Sequence, residues 1–229
     1  MSGGCNVVGM KEIVAREIAK RVKDGDVIGV GTGTTVDAAL TEIGKRVVAE
    51  GLRVTVVPTS YQSAWRCQEL GFIVMYPGYR GYLSWGFDGA DQVTKAKWAI
   101  KGKGGAMLQE KILAKRCKEF IIIVDETKVV SELGKGCPVP VEVVPEALVL
   151  AEEGLKGAGA VEVTVRVGSG KHGPVITERG NIILDATFPS ITEHLEGEVK
   201  SIIGVVDSGL FIGYASEVLV AGAQGIYSL

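Results

Sequence analysis

The chain has 229 residues, enough for one large domain or a domain with a smaller companion, and its 46% hydrophobic, 23% charged composition is that of a globular protein that folds unaided. With 25 Lys and Arg against 27 Asp and Glu the formal charge is −2, which excludes the basic footprint of a nucleic-acid binder or of a protein held on an anionic membrane. The 32 glycines, about twice the usual share of roughly 7%, follow neither a collagen period nor a low-complexity pattern and call for a local explanation.

Ile13, Val14, Ile18 and Val22 recur at helical spacing and mark a first helix preceded by about ten residues. A strand over 27–30, a helix over 36–48, a strand over 54–57 and a helix over 61–70 follow. Buried strands are expected over 73–75, 83–87 and 120–124, with a helix over 106–117 between the last two. After Leu133 the composition shifts. Gly134, Gly136, Pro138, Pro140 and Pro145 cluster before a helix over 146–155 and two alternating strands over 161–167 and 182–187. The tail returns to apolar strands over 210–212 and 218–221, expected to rejoin the first sheet. The pattern predicts an α/β fold: a Rossmann-like, mostly parallel sheet flanked by helices from 1–133 plus 206–229, with a smaller inserted α+β domain over 134–205.

No run approaches the ~18 apolar residues of a membrane span, and the first residues lack the apolar stretch of a signal peptide, so a cytoplasmic protein is expected. Cys5, Cys67, Cys117 and Cys137 form no Cys-x-x-Cys pair, which speaks against a zinc ribbon or a disulfide framework. His172 and His194 are the only histidines, little raw material for a metal site or a Ser-His-Asp relay.

Four segments carry chemistry-bearing residues. Gly31-Thr32-Gly33-Thr34-Thr35 follows a strand and opens a helix, where bare backbone, Thr hydroxyls and helix N–H groups suit a phosphate; the same residues also make a plain tight turn with a Thr N-cap. Val36 stands where a dinucleotide fingerprint wants its third glycine, no acidic residue follows the second strand to hold a ribose, and no Walker loop occurs, so NAD is disfavoured. Asp88-Gly89-Ala90-Asp91 ends a strand, where its carboxylates serve either as acid, base or hydroxyl acceptors or as caps of their own turn.

Lys101-Gly102-Lys103-Gly104-Gly105 reads as a second anion-receptive nest or as a surface loop with two solvated lysines. In the helix after it, Glu110 has Ala106, Met107, Leu113, Ala114 and Cys117 as its helical neighbours, so a carboxylate stands on an apolar face. Such a group is either a general base working near neutral pH or the structural partner of a buried cation. Leu108 and Ile112 on the other side predict a helix covered on two faces. Asp125-Glu126-Thr127-Lys128 lies at another strand end, from which Lys128 reaches an anionic substrate or remains part of an exposed helix-start cluster.

In this order the segments resemble ribose-5-phosphate isomerase of type A, over about 10–225. The shared motifs are Gly-Thr-Gly-Thr-Thr at 31–35, Val-Pro-Thr-Ser-Tyr-Gln at 57–62, Asp-Gly-Ala-Asp at 88–91, Lys-Gly-Lys-Gly-Gly-Ala at 101–106 and Glu110-Lys111. To these are added Pro-Val-Pro-Val-Glu-Val-Val-Pro at 138–145, Gly-Pro-Val-Ile-Thr at 173–177 and Gly-Asn-Ile-Ile-Leu-Asp at 180–185. Each alone is weak; the ordered set is specific.

The resemblance implies interconversion of ribose 5-phosphate and ribulose 5-phosphate through an enediol, in the non-oxidative pentose phosphate pathway, with no metal and no organic cofactor. It makes Glu110 the base between C2 and C1, Asp88 the group assisting ring opening, and Asp91 and Lys101 the holders of hydroxyl and carbonyl, with Lys101 stabilising the oxyanion. Thr32, Gly33, Thr34 and Thr35 would contact the substrate near the phosphate, Lys11 would face the phosphate, Lys128 would add charge from the lid side, and Gly89, Ala90, Gly102, Lys103 and Gly104 would line the substrate. The domain over 134–205 would act as lid and oligomer contact in a homodimer or homotetramer.

Gln92 stands where the family usually has Glu, Lys103 where it often has Gly, and Thr34 where Ser is common. Gln92 would thin a carboxylate cluster around Asp88 and Asp91. The alternatives are a related sugar-phosphate isomerase or deaminase, or a non-catalytic sugar-phosphate sensor; the short stretch before the first helix leaves the latter no room for a helix-turn-helix.

Overall fold

The computed structural model describes residues 3–76 and 78–229, and side chains from residue 9 onward with the exception of position 77. The chain opens with α1 (Gly3–Ala19), β1 (Val27–Val30), α2 (Thr34–Glu50), β2 (Thr55–Pro58), α3 (Tyr61–Glu69), β3 (Ile73–Val74) and β4 (Trp85–Asp88). Two short strands, β5 (Gln92–Val93) and β6 (Ala99–Ile100), precede α4 (Met107–Arg116) and β7 (Phe120–Asp125). Then come β8 (Val139–Val143), α5 (Leu148–Gly157), β9 (Glu162–Val165), β10 (Ile182–Thr187), α6 (Leu195–Lys200), β11 (Val205–Ser208), β12 (Leu210–Phe211), β13 (Glu217–Gly222) and β14 (Gly225–Ser228).

These elements form two compact units. The first takes the chain up to Ala90 together with Gln109–Val129 and Gly213–Leu229; the second takes Asp91–Leu108 and Val130–Ile212. The first is built on a seven-stranded sheet of order β14-β13-β7-β4-β1-β2-β3, parallel except for the antiparallel edge strand β14. β7 reads Phe-Ile-Ile-Ile-Val-Asp and is buried at every position, the continuous apolar run that a parallel strand covered on both faces requires. Helix α1 packs on α2, and Val14, Ile18, Leu40 and Ile43 join Ile28, Val30, Val56 and Phe87 in one core. A Cβ on Gly29 of β1 would come within 2.8 Å of Leu113, so bare backbone there lets α4 lie close against the strand.

The expected α/β architecture is present; the short elements β5, β6, α6, β11 and β14 have no counterpart in the sequence pattern, and three further differences follow. Helix α1 starts at Gly3, several residues before the expected start; Gly3, Gly4 and Gly9 are poor helix formers, so local propensity hides that turn. The 210–212 segment does not rejoin the first sheet: Leu210 and Phe211 form β12, which pairs with β6 in a three-stranded sheet of order β12-β6-β5. The third is β8, which runs through Pro140 in the interior of a four-stranded antiparallel sheet of order β11-β8-β10-β9.

Proline lacks a ladder donor and is normally an edge residue. Here the Pro140 carbonyl accepts from the Gly209 N–H at 2.6 Å, and the Gly209 carbonyl accepts from the Lys101 N–H at 2.9 Å. Around this sheet Val139, Val141, Val143, Leu155, Leu184, Phe188 and Val199 form the second unit's core. Glu142 is buried within it, where its Oε1 accepts from Thr177 Oγ1 and Asn181 Nδ2, both at 2.8 Å. Among the described residues, no helix is long and apolar enough to cross a membrane.

Candidate active site

In the first unit the chain leaves β1 toward β2 and leaves β4 toward β7, so the neighbours β1 and β4 make the switch point outside whose carboxyl ends ligands of such sheets bind. Gly31 to Thr35 follow β1, and Asp88 ends β4. Asp88 is fully buried; its Oδ1 accepts from the Thr32 N–H at 3.1 Å and from the Gly89 N–H at 2.7 Å. A Cβ built on Gly31 would fall on the Asp88 carboxyl group. The glycine read from sequence as room for a ligand is therefore also room for Asp88.

The Thr32 hydroxyl lies 2.8 Å from both Thr59 Oγ1 and Ser60 Oγ, and the Ser63 hydroxyl donates to the Gly31 carbonyl at 2.7 Å. Thr32 is thus engaged through both N–H and hydroxyl inside the unit. Gly33, at φ 133, is the N-cap of α2 and provides no side-chain cap. Lys11 Nζ donates to Thr34 Oγ1 at 2.9 Å, which brings together two of the expected phosphate contacts. A cation at a helix N-terminus opposes the helix dipole, and an anion bound there relieves both charges. A cavity of ≈ 350 Å³ opens beside Gly33 with Asp37, Gln62, Trp65 and Arg66 in its lining. Its guanidinium is held by Asp37 at 2.7 Å and Glu69 at 3.1 Å and offers no surplus positive charge.

Glu110 is 2% exposed on α4, among buried Met107, Leu113 and Ala114. The helix is not covered on two faces, since Ile112 is 40% exposed. Lys111 is buried, and the ammonium groups of Lys111 and Lys115 lie over the Tyr214 ring, 5.5 and 4.4 Å from its centroid. Gln109, not singled out from sequence, is buried, and its Oε1 has no hydrogen-bond partner among the described residues. Lys128 is half-buried at the end of the 3-10 turn Glu126–Lys128. Asp125 caps that turn by accepting from the Thr127 N–H at 3.0 Å, and Glu126 accepts from the Ala223 N–H at 3.2 Å, so both carboxylates support backbone.

In the second unit the Lys101 to Gly105 loop leaves β6. Lys101 is 3% exposed, and its ammonium lies over the Phe211 ring, 5.5 Å from the centroid. A Cβ on Gly209 would fall on the Lys101 carbonyl oxygen, so a glycine there permits the backbone contact that holds this lysine. Lys103 is exposed, and its N–H donates to Asp91 Oδ2 at 3.1 Å, joining two expected site residues. Gly102 and Gly105 have φ of 96 and 82, the left-handed region that favours glycine. Gly209 and Ser63 carried no sequence signal of their own, because each acts through a partner remote in the chain.

Gln92 does not belong to a carboxylate cluster. It is buried, its Nε2 donates to the Lys135 carbonyl and its Oε1 accepts from the Gly134 N–H, both at 2.8 Å. An amide matches that donor and acceptor pair; a carboxylate matches only half of it. Gln92→Glu is expected to lower stability by about 1–3 kcal/mol at pH 7. The deficit shrinks toward pH 4, where the protonated carboxyl regains a donor for Lys135. Melting at the two pH values checks this, and an equal deficit at both would refute it.

Burial pushes the Cys67 and Cys117 thiols up to about 12, so neither offers a thiolate near neutral pH. Cys67, Cys117 and Cys137 are unbridged, and the Cys5 side chain lies outside the described residues. Among the described residues no group of three or more His, Cys, Asp or Glu side chains is placed to hold a metal ion.

The chain as a whole is similar to known proteins. The family model described as ribose 5-phosphate isomerase A (phosphoriboisomerase A) matches residues 55–225. The ribose-5-phosphate isomerase A of Methanothermobacter thermautotrophicus is 40% identical over 219 residues, 95% of this chain and 96% of that protein. The solved structure of ribose 5-phosphate isomerase A from Methanocaldococcus jannaschii superposes with a TM-score of 0.93 at 38% identity, covering 97% of this chain and 98% of that one. A structure of D-ribose-5-phosphate isomerase in complex with phospho-erythronic acid superposes with a TM-score of 0.94 at 37% identity, over 98% and 99% of the two chains. Relatives in sequence and in fold agree over nearly the whole length and the family model over residues 55–225, and the chain belongs to the ribose 5-phosphate isomerase A family.

Proposed function

We propose that the protein is an aldose-ketose isomerase that interconverts D-ribose 5-phosphate and D-ribulose 5-phosphate. The observation that carries the reading is Glu110, a carboxylate 2% exposed on an apolar helix face in a member of this isomerase family. A sensor that only bound its ligand would have no use for a buried base.

The reaction moves one proton from C2 to C1 while the carbonyl moves from C1 to C2. Glu110 takes the C2 proton, and the C–H electron pair forms the C1–C2 double bond of an enediolate with negative charge on O1. The Lys101 ammonium stabilises that oxyanion. The O2 proton then passes to O1, and as the C2 carbonyl forms the double-bond electron pair takes the proton back from Glu110 at C1, which leaves the C1 hydroxymethyl group of the ketose and Glu110 again a carboxylate. Asp88, oriented by the N–H groups of Thr32 and Gly89, assists opening of the sugar ring by moving a proton between the anomeric hydroxyl and the ring oxygen. Asp91 holds a reacting hydroxyl, and Gly89, Ala90, Gly102, Lys103 and Gly104 line the sugar. Lys11, Thr34, Thr35 and the start of α2 take the phosphate with Thr32 and Gly33, supported by the Lys11 contact to Thr34 and by the helix dipole; Lys128 adds charge.

The same reading has the protein working in the cytoplasm as a homodimer or homotetramer, with 1–133 plus 206–229 catalytic and 134–205 providing oligomer contacts. The test is ribulose 5-phosphate formation in the presence of a metal chelator. Undiminished turnover, and a higher kcat/KM for ribose 5-phosphate than for glucosamine 6-phosphate, are expected. No turnover, or an absolute metal requirement, overturns the reading.

A further inference from the structure

Arg166 follows β9 in the second unit and faces Asp185 of β10, with Nε donating to Oδ2 at 2.8 Å and Nη2 to Oδ1. Both side chains are largely buried, 17% and 19% exposed. The pair leaves one arm of the guanidinium over, and Nη1 donates to the Gly102 carbonyl at 2.9 Å and to the Lys103 carbonyl at 3.0 Å. Two successive peptides of the Lys101 to Gly105 loop are therefore gripped by a single side chain that is itself locked by a two-pronged ion pair.

A planar trans peptide points its C=O and N–H in opposite directions. When the carbonyls of Gly102 and Lys103 turn to Arg166, the N–H groups of Lys103 and Gly104 turn away from it. Lys103 shows the result, because its N–H donates to Asp91 Oδ2 at 3.1 Å. The glycines at 102 and 105 admit the positive φ that the loop needs but also leave it many other conformations; the Gly105 N–H closes a turn on the Gly102 carbonyl at 2.9 Å, and Arg166 adds a second hold on that carbonyl and reaches the next one, of Lys103.

We propose that Arg166 is a positioning residue for isomerisation. It fixes the peptide planes of the Lys101 to Gly105 loop, and through them the setting of Asp91 and the direction in which the loop's N–H groups meet the sugar oxygens. This rests on the isomerase reading above and adds to it a residue outside the sugar-contacting set. Lysine cannot replace it, since a single ammonium lacks the planar fork that serves a carboxylate and two carbonyls together.

The test uses Arg166→Lys, which keeps the charge opposite Asp185, and the double variant Arg166→Gln with Asp185→Asn, which removes both charges and so strands neither. Kinetics on ribose 5-phosphate are normalised to folded protein by circular dichroism and melting. Both variants are expected to lose about 10- to 100-fold in kcat with KM within about threefold, the signature of misplaced reacting groups rather than lost binding. A folded variant with kcat within threefold of the parent, a loss confined to KM, or a loss that only tracks the unfolded fraction overturns the proposal. Failure of both variants to fold would assign Arg166 to stability alone and overturn it equally. Parent turnover in the same assay separates the two ideas: a silent parent sinks the isomerase reading and this role with it, whereas an active parent with unchanged variants sinks only the role of Arg166.

Discussion

Glu110→Gln is expected to lower kcat for ribose 5-phosphate by about 10²- to 10⁴-fold, with KM within about threefold of the parent, because a positioned base supplies roughly that factor. The substitution keeps size and shape, so the packing of α4 around Met107, Leu113 and Ala114 stays intact. What disappears is the ability to accept a proton from C2. That interaction belongs to the transition state, and its loss registers in kcat and kcat/KM together while ground-state binding persists. Steady-state kinetics on the purified variant check it. A near-normal kcat with a large rise in KM would show that Glu110 binds the sugar rather than moving its proton.

Gly31→Ala is expected to be the most damaging change at the end of β1. The new methyl would occupy the space of the Asp88 carboxyl group, which the Thr32 and Gly89 N–H groups hold in place. Either the carboxylate swings away, or the backbone after β1 moves and breaks the Ser63 contact to the Gly31 carbonyl. Overpacking of this kind costs about 1–3 kcal/mol. If Asp88 acts in ring opening as proposed above, its displacement by about 1 Å costs on the order of 10²-fold in rate. Melting and kcat measured on the same preparation separate the two effects. Parent-like values of both would mean that Asp88 tolerates displacement and is not held for chemistry.

Much of the first unit was legible because its strands and helices differ in period. An uninterrupted apolar run such as Phe120 to Val124 has few alternatives to a strand buried on both faces, and the sequence pattern alone puts the Gly-Thr loop and Asp88 at strand ends. The second unit was less legible. Pro138 and Pro140 argue locally against a strand, yet Val139 to Val143 form an interior one, since the carbonyl that Pro140 leaves without a donor is taken up by Lys101. Likewise 210–212 has the apolar character of a strand, but that character does not say which strand it will meet, and its partner proved to be β6.

By itself, then, the order of residues determined which chemical groups the protein carries and on what kind of element each sits: a carboxylate on an apolar helix face, glycine loops at helix starts and acids at strand ends. It also determined family membership, through the ordered set of motifs. Only the tertiary structure decided which groups touch. Thr32 and Asp88 are 56 positions apart, and Arg166 reaches Gly102 from 64 positions away. Periodicity and turn chemistry act within a few residues, whereas such contacts are set by how buried faces pack and by where each buried donor and acceptor finds its partner. Gly31 shows both at once. Its place after a strand suggested a binding loop, and only the packed structure revealed the Asp88 carboxylate as the neighbour for which its side chain must be absent.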